Sequence, residues 1–399
     1  MEASVVEEYL RLGLAFDRLE PGFVDAYTGD RRLRADVESG PQPDPAELAG
    51  RARTLRKQLP GELSSARAAF IDSHLVALEC SARKMAGEQI NFVDEVRAYF
   101  DVGIEMADPQ GYRDAQTELA RVLGVPVTGV ADAYADHRRR DEIPADRVDE
   151  CVQAFASALR DRVRSTYPLP DNEIVDFEVV SDQPWSGFNY YLGNYSSRVA
   201  INGDLTQYMS SLPHLIAHEA YPGHHTEHCR KEQFLVGAGQ HEQSIFVVNT
   251  PQCLMAEGLA DHALVAAVGP QWGVWAQEIY ADLGLRFDGE RAQRVGSATA
   301  GLLSVRQDAA LLLHDRHADE DTVVQFLQTW LLAPPARARQ MIRFLTSPLW
   351  RAYISTYVEG YRLLGTWLDA APTSQRLERF GRLLDEPLTP AVLRAELAG

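Results

Sequence analysis

Lysine and cysteine are both scarce in this chain of 399 residues. Only three of its 39 basic residues are lysines, so a mechanism that runs through a lysine Schiff base has few candidate nucleophiles. The four cysteines lie far apart and form no CxxC pair. That spacing argues against a disulfide scaffold or a cysteine zinc ribbon, and it favours reduced thiols in a cytoplasmic protein.

Basic residues are also fewer than acidic ones. The chain has 39 basic and 57 acidic residues, which give a formal charge of −18. A nucleic-acid surface needs a basic face, and so does docking on anionic lipid, so neither partner is expected. No apolar run approaches the roughly 18 residues that span a bilayer, and the acidic N-terminus does not resemble a signal peptide. We therefore expect a cytoplasmic protein that binds neither nucleic acid nor membrane.

Helical periodicity fills the N-terminal part of the chain, from residue 1 to about 168. One stretch in this part, residues 30–45, is charged and rich in proline and glycine, which predicts a surface loop. The clearest helices are predicted over 45–59, 63–85, 92–100 and 148–167.

The only convincing β pattern lies between this helical part and a second one. Residues 174–180 alternate polar and apolar side chains and are rich in β-branched types, and residues 198–202 resemble a short strand. Helical texture returns from residue 205 and continues to the C-terminus. This order predicts a mainly α fold, in which a multi-helix body carries a small antiparallel β-sheet inserted midway.

Histidines are concentrated in one segment, because seven of the eleven fall between positions 214 and 262. The dense part reads HLIAHEAYPGHHTEH, from His214 to His228. Imidazole and carboxylate are the standard nitrogen and oxygen ligands of zinc, so a cluster of both is typical of a metal site. A solvated polar helix face is the plain alternative. Leu212 and Ile216 argue against it, because they predict that this helix is buried on most sides.

The dipeptide His218-Glu219 begins like the zinc-binding motif HExxH, in which histidines four residues apart share one helix face. Here Pro222 occupies the position of the second histidine. In a straight helix His224 would point about 120° away from His218, and His225 would share its face but lie about 10.5 Å further along. An unbroken helix therefore brings neither histidine close to His218.

A break in the helix resolves this spacing. Pro222 removes a backbone donor and Gly223 tolerates a positive φ, so a turn at this point could return His224 to the metal. Pairs with the plain i,i+4 spacing stay open as alternatives. They are His214 with His218, and His224 with His228.

A third metal donor is expected from the segment TPQCLMAEGLADH. Thr250 is a suitable N-cap and Pro251 suits the first turn, so a helix begins here. Glu257 and Asp261 lie four residues apart and share a face of that helix. One carboxylate can bind the metal while the other accepts a hydrogen bond from the distal nitrogen of a ligating histidine. The alternative is an ordinary acidic face of an amphipathic helix.

The octapeptide HEAYPGHH and the downstream segment EGLAD resemble the bacterial family of the domain of unknown function 885, whose signature is HExxPGHH followed by an EGxA-type segment. That family is similar to the gluzincin metallopeptidases, in particular the helical metallocarboxypeptidases and the thimet oligopeptidase type. The resemblance covers about Trp185 to Leu364, and it implies a zincin-like fold that holds Zn²⁺. Carried over residue by residue, it implies the zinc ligands His218, His224 and Glu257, the general base Glu219 and the orienting acid Asp261.

Two segments near the C-terminus extend the resemblance. TYVEG at 356–360 resembles a family SYKIG segment, which implies that Tyr357 stabilises the oxyanion; the alternative is a core aromatic. Arg343-Phe344 resembles a family RY pair, and the planar guanidinium of Arg343 suits either a substrate carboxylate or an acidic partner. His314 could face the same site or lie in the core.

The β region suggests where a substrate would lie. Zinc peptidases often hold an extended substrate along a strand edge beside the metal-binding helix. By this analogy, residues 198–202 and the Tyr- and Asn-rich segment 187–194 would form such a groove.

Together these groups predict a zinc-dependent metallohydrolase, with a helical N-terminal region (1–170) and a zinc-binding catalytic region (171–399) in one body with a weak boundary. Zinc with three protein ligands keeps one position open for water and lowers the pKa of that water from about 15.7 to about 7. Glu219 can accept the proton as the water attacks a carbonyl carbon. The expected substrate is a short peptide or a small amide.

Three alternatives stay open at this point. The first is a zinc hydrolase of a non-peptide amide or ester. The second is a non-catalytic helical protein with a structural zinc site, and the third is a metal-free helical scaffold. Glu219 argues against the structural site, because a closed zinc site has no use for an adjacent base.

Overall fold

Helices make up most of the structure, a computed structural model that describes residues 4–181 and 187–399. The prediction of a mainly α fold is confirmed. Trp185, where the family resemblance begins, lies outside the described residues. The helices of the N-terminal part are α1 (Val5–Leu19), α2 (Arg31–Ser39), α3 (Pro45–Glu62), α4 (Ser65–Met85), α5 (Phe92–Phe100), α6 (Pro109–Leu123), α7 (Val130–Arg140) and α8 (Val148–Thr166).

Helices return after the β region and continue almost to the C-terminus. This part also contains two π-helical turns, at Glu232–Val236 and Thr356–Gly360. Its α-helices are α9 (Leu212–Glu219), α10 (His224–Lys231), α11 (Pro251–Val268), α12 (Trp272–Asp282), α13 (Gly289–Ala300), α14 (Val305–His314), α15 (Glu320–Leu331), α16 (Pro335–Thr346), α17 (Tyr361–Asp369), α18 (Arg376–Asp385) and α19 (Pro390–Ala398).

Polar caps set the start of several N-terminal helices. The side chains of Asp44, Asn91 and Asp108 each accept a hydrogen bond from a backbone N–H in the first turn of the helix that follows. The same chemistry explains why the predicted surface loop at 30–45 is wrong. Asp30 accepts a hydrogen bond from the N–H of Arg32, and the helix that results, α2, buries Leu33 in the core.

A short two-stranded sheet joins distant parts of the chain. β1 (Val24–Tyr27) pairs antiparallel with the later strand Ile245–Val247, and the register shifts between Val24 and Ala26. The sequence did not indicate either strand. Each has only three or four residues and pairs with a strand far away along the chain, so no hairpin pattern marks them.

The β pattern that the sequence did indicate forms a three-stranded sheet of β2 (Ile174–Val180), β3 (Gly187–Gly193) and β4 (Ser196–Asn202), in the order β2-β4-β3. β3 and β4 are antiparallel and join through a turn in which Asn194 and Tyr195 both have positive φ. β4 lies between the two earlier strands and pairs with β2 in parallel. The strand Ile245–Val247 is β5.

Helix α11 lies at the centre of the structure, and its residues from Pro251 to Ala260 are all buried. It contacts α9, α17 and the π-helical turn Thr356–Gly360. Glycines permit the last contact, since a Cβ on Gly258 would lie 2.6 Å from the carbonyl oxygen of Gly360. One hydrophobic core around α11 runs from α1 to α19. Among the described residues, no helix is long and apolar enough to cross a membrane.

Candidate metal centre

The chain turns sharply between α9 and α10, as the Pro-Gly dipeptide predicted. α9 ends at Glu219, the Tyr221–Pro222 peptide bond is cis, and α10 begins at His224. The N–H of Gly223 donates to the carbonyl oxygen of Ala217 at 2.8 Å, which folds the turn back onto α9. A Cβ on Gly223 would collide with the carbonyl oxygens of Ala217 and His218. Only glycine fits this position without a shift of the backbone.

This turn brings His218 and His224 together with Glu257 of α11. One donor atom from each of the three lies within 4.8 Å of the others. The Nε2 atom of His218 is 3.2 Å from Oε2 of Glu257, and the Nε2 atom of His224 is 3.8 Å from Oε1. The side chains of the two histidines keep 16% and 15% of their surface exposed, so solvent reaches the cluster. Two nitrogens and a carboxylate are a donor set that suits zinc.

Asp261 orients the first of these histidines. Its Oδ1 atom lies 3.1 Å from Nδ1 of His218, which leaves Nε2 directed at Glu257. Burial alone would lower the pKa of His218, but the carboxylates of Asp261 and Glu257 raise it well above its usual value. The cluster is therefore strongly attractive to positive charge. Among the described residues, no lysine or arginine forms an ion pair with Glu257 or Asp261.

Glu257 is held by a residue that the sequence did not single out. The hydroxyl of Tyr353 donates to Oε1 of Glu257 at 2.7 Å. The other oxygen, Oε2, is buried and faces Nε2 of His218 at 3.2 Å, and no other described residue donates a hydrogen bond to it. A buried carboxylate oxygen that faces an imidazole nitrogen needs a proton or a cation between the two atoms, so the residues present fit a metal ion.

Glu219 lies beside the cluster without belonging to it. Its backbone oxygen accepts a hydrogen bond of 2.7 Å from Nδ2 of Asn189 on β3, which ties the end of α9 to the sheet. Its carboxylate makes no hydrogen bond or ion pair with a described residue. Burial raises the pKa of Glu219, while His218 and His224 act in the opposite direction. A carboxylate so placed can take and return a proton.

His225, the rival of His224 in sequence, points to the opposite side. It is fully buried, its Nδ1 atom lies 2.8 Å from Oγ of Ser197, and its Nε2 atom lies 3.1 Å from Oε2 of Glu173. Both ring nitrogens therefore have protein partners. This network connects α10 to β4 and to the residue that precedes β2.

His214 and His228, the partners in the i,i+4 alternatives, do not join the cluster either. The ring of His214 packs edge-on against Trp272, with centroids 4.5 Å apart. The ring of His228 stacks on Tyr191 at 4.6 Å. Glu227, another carboxylate in the histidine segment, forms a buried ion pair of 2.5 Å with Lys231. None of the three candidate ligands His214, His228 and Glu227 joins the cluster of His218, His224 and Glu257.

The structure places Tyr357 beside the centre. It lies in the π-helical turn Thr356–Gly360, which the glycine contact holds against α11. Burial raises the pKa of Tyr357 well above its ordinary value, and the nearby carboxylates of Glu257, Asp261 and Glu219 add to the rise. Its hydroxyl makes no hydrogen bond with a described residue.

Arg343 and His314 are not brought to the centre. Arg343 is exposed on α16 and has no ion pair or hydrogen bond with a described residue. His314 is half-buried, its Nε2 atom lies 2.6 Å from the carbonyl oxygen of Leu345, and its ring packs on Phe92. The strand predicted at 198–202 to hold a substrate is β4, the middle strand of its sheet. Both of its edges are therefore paired with other strands. The strand edge next to α9 belongs to β3 instead.

Asp25 is a further acid near the centre that the sequence did not reveal. It lies at the register shift of β1, a distortion that redirects side chains. Burial, together with the carboxylates of Glu257 and Glu219, raises the pKa of Asp25 to about 7. A single aspartate in a four-residue strand carries no pattern that could have pointed to it. Tyr353, by contrast, lies one helical turn before Tyr357 and could have been considered with it.

Among known proteins, this chain is similar to solved structures and matches nothing by sequence family. The crystal structure of the putative lipoprotein from Colwellia psychrerythraea matches with a TM-score of 0.51 and 14% sequence identity, over 88% of this chain and 66% of that one. A putative lipoprotein of unknown function from Shewanella oneidensis matches with a TM-score of 0.45 and 15% identity, over 92% of this chain and 76% of that one. No family model and no curated protein matches the chain.

The first of these likenesses shows a shared fold. At 14% identity it carries nothing about activity, and this chain spans 66% of the length of the Colwellia psychrerythraea protein.

Proposed function

We propose that this protein is a zinc-dependent hydrolase of short peptides, similar to the family of the domain of unknown function 885 and to the gluzincin peptidases. One observation carries the proposal. His218, His224 and Glu257 converge from three helices, Asp261 orients the first histidine, and the carboxylate of Glu219 lies beside them without a hydrogen bond or ion pair to any described residue. A structural role alone does not require that last group.

Zinc fits the residues present. The ligands would be Nε2 of His218, Nε2 of His224 and the carboxylate of Glu257, whose buried Oε2 atom faces His218 and has no other partner among the described residues. Zinc in such a site activates water as a nucleophile and polarises a carbonyl oxygen. Structural zinc sites usually have four protein ligands, whereas the cluster in the described residues has three. That difference favours the catalytic alternative.

Glu219, Tyr357 and strand β3 would have separate roles in amide hydrolysis. Glu219 would accept the proton of the attacking water and return it to the nitrogen of the leaving amine. Tyr357 would donate a hydrogen bond from its hydroxyl to the oxygen that gains negative charge. The edge of β3 would hold an extended substrate by main-chain hydrogen bonds, next to Glu219.

Peptide digestion tests the activity. A library of short peptides is incubated with purified protein, and the products are identified by mass spectrometry, with and without a chelator and after zinc is restored. We expect cleavage that the chelator abolishes and zinc restores. A parallel panel of non-peptide amides and esters distinguishes the other zinc hydrolases. Cleavage of that panel alone, or activity that survives complete metal removal, would contradict the proposal.

A cytoplasmic location belongs to the same proposal. Its support is the state of the cysteines, since the four thiols are free and buried, which suits a reducing compartment. Fractionation of cells that express the full-length gene tests it. Recovery of the protein in the membrane or extracellular fraction would overturn this part and leave the proposed chemistry intact.

A further inference from the structure

One face of strand β3 packs against the helices that carry the histidines of the centre. Side chains alternate along a strand, so Gly187, Asn189 and Tyr191 lie on the same face of β3. Gly187 and Asn189 both lie against Glu219, the last residue of α9. Tyr191 contacts the next helix instead, since its ring stacks on His228 of α10 at 4.6 Å. This one strand is therefore in contact with both metal-binding helices.

Asn189 holds the backbone of Glu219. Its Nδ2 atom donates a buried hydrogen bond of 2.7 Å to the carbonyl oxygen of Glu219. That oxygen belongs to the last turn of α9, where a carbonyl group has no partner within the helix. The other polar atom of the side chain, Oδ1, is buried and has no hydrogen-bond partner among the described residues. The bond to Glu219 is thus the contact that an apolar side chain at this position could not replace.

Gly187 leaves room for the carboxylate of Glu219. A Cβ on residue 187 would lie 3.2 Å from Oε1 of Glu219 and 3.4 Å from its Cγ. It would also lie 2.7 Å from Cδ1 of Leu215, one helical turn earlier on the same face of α9. Contacts this short force the neighbouring atoms to move. The absence of a side chain at residue 187 therefore allows the carboxylate to lie where it does.

We propose that Gly187 and Asn189 are positioning residues for the general base, so that β3 sets where the carboxylate of Glu219 lies beside the metal site. This inference rests on the proposed function and adds to it a dependence on the strand. Asn189 holds the main chain of Glu219, and Gly187 limits where its side chain can lie. No described residue forms a hydrogen bond or ion pair with that carboxylate, so these contacts are what hold it. A base must lie within hydrogen-bond reach of the proton that it takes, so a small displacement lowers the rate.

A double-mutant cycle tests whether the two residues act through Glu219. Peptide hydrolysis is measured for zinc-loaded Asn189→Ala and Gly187→Ala, each with wild-type Glu219 and with Glu219→Gln. With Glu219 present, we expect kcat to fall about 10- to 100-fold, while KM and zinc content stay close to the wild-type values. With Glu219→Gln, the same substitutions should change the residual kcat by less than about twofold, because the base that they position is already lost. Equal losses with and without Glu219 would show a merely structural role and would overturn the proposal.

Leu215 provides a control for the substitution of Gly187, because an added Cβ also meets its side chain. The double variant Gly187→Ala/Leu215→Ala removes the contact with Leu215 and keeps the one with Glu219. Relative to Leu215→Ala alone, it should lose as much kcat as Gly187→Ala loses relative to the wild type. A double variant as active as Leu215→Ala would assign the effect to packing and overturn the role of Gly187.

Tyr191 provides a control on the same face of the strand. Tyr191→Phe removes a hydrogen bond of 2.5 Å to Glu232, at the end of α10, and any change in kcat that it causes should be the same with Glu219 and with Glu219→Gln. Asn189→Gln keeps an amide donor and should restore part of the rate that Asn189→Ala loses. Melting curves establish that each variant is folded. A rate for Asn189→Gln no higher than that of Asn189→Ala would count against the hydrogen bond as the cause.

Crystal structures of the variants give a readout that needs no turnover. In Gly187→Ala we expect the carboxylate of Glu219 to move away from residue 187 by a few tenths of an ångström or into another rotamer. In Asn189→Ala we expect the last turn of α9 to shift, because the carbonyl group of Glu219 has lost its donor. A Glu219 that keeps its wild-type position in both variants would overturn the proposal. If the wild type cleaves no peptide, the proposed function fails, and this comparison alone decides whether β3 positions Glu219.

Discussion

Gly223 is the residue on which the position of His224 depends. Its N–H closes the turn onto Ala217, and its missing side chain leaves room for the carbonyl oxygen of His218. The turn returns a histidine six positions along the chain to the side of His218, which no regular helix can do.

Replacement of Gly223 by alanine should therefore damage the turn and the metal centre together. We expect Gly223→Ala to lose most of its zinc and at least about 2 kcal/mol of unfolding free energy, because the added Cβ collides with backbone atoms that cannot move aside. Metal analysis and urea unfolding measure the two effects. Gly50→Ala is the control, since that position on α3 has open space around it. Full zinc content in Gly223→Ala would mean that the turn does not set the geometry of the centre.

The two adjacent histidines should respond differently to substitution. His224→Ala should lose zinc, because its Nε2 atom faces Glu257. His225→Gln should keep about one zinc per chain, because both ring nitrogens of His225 are bonded to Ser197 and Glu173 on the other side. Zinc content per folded chain is the measurement. The reverse pattern of loss would move the metal site to the buried network.

Substitution of Glu219 tests catalysis separately from metal binding. Glu219→Gln keeps the size of the side chain but cannot take a proton. We expect the variant to melt like the wild type, to bind zinc equally well, and to lose peptide hydrolysis by about 10²–10⁴-fold. Zinc content and rate must be measured on the same sample. An active, zinc-loaded variant would exclude Glu219 as the base.

At the scale of elements, the carboxylate of Glu173 links helix α8 to the turn between α9 and α10, two parts that are distant in the sequence. Arg160 of α8 donates to its Oε1 atom at 2.6 Å, and Tyr221 of the metal-binding turn donates to Oε2 at 2.8 Å. Burial alone would raise the pKa of Glu173, but the hydrogen bonds from His225, Arg160 and Tyr221 lower it to about 2. The carboxylate is thus charged in the folded protein at pH values well above 2.

That shift predicts a defined dependence of stability on pH. The folded pKa lies below the unfolded value, so this stabilisation is fully present above about pH 4.5 and is lost as the pH falls towards 2. Its size is about 3 kcal/mol. The gap in unfolding free energy between wild type and Glu173→Gln should therefore be widest near pH 7 and narrow below pH 4.5. Denaturant titrations at several pH values measure it, with exposed Glu290→Gln as the control, and a gap that does not vary with pH would contradict the assignment.

Sequence patterns were most informative where the signal is local. The helix over 92–100 and the strand over 174–180 have the predicted bounds, because caps and alternation lie within those residues. The sequence pattern did not predict β1, β5 or α2. The two strands are defined by each other across the chain, and α2 depends on a single capping aspartate within a stretch that looks like a loop.

The same limit applies to the centre when the whole molecule is considered. His218, His224, Glu257 and Asp261 could be anticipated, because they lie in two short motifs. Asp25 comes from a short strand near the N-terminus, far along the chain from both motifs. It belongs to no motif, and only the packing of the complete chain brings it near the site.

Metal binding should be visible in the stability of the whole molecule. A ligand that binds only the folded state adds about 2.7 kcal/mol when its concentration is a hundred times its Kd. We expect chelation to lower the melting temperature and zinc to restore it, and we expect Glu257→Ala to show no response to either treatment. Differential scanning calorimetry gives the measurement. A wild-type melting temperature that is indifferent to chelator and to added zinc would argue that no metal binds.

The contact between Gly258 and Gly360 restricts which residues homologues of this chain can have at these two positions. A methyl group at either position would strike the backbone of the other segment, so neither residue can change alone without separating α11 from the turn that carries Tyr357. Any homologue that keeps this contact should therefore retain both glycines, because each added Cβ would strike backbone atoms of the other segment whatever side chain stands there. Two invariant glycines about a hundred residues apart are then a signature of the contact. That signature can identify distant relatives in which the histidine motif itself has diverged.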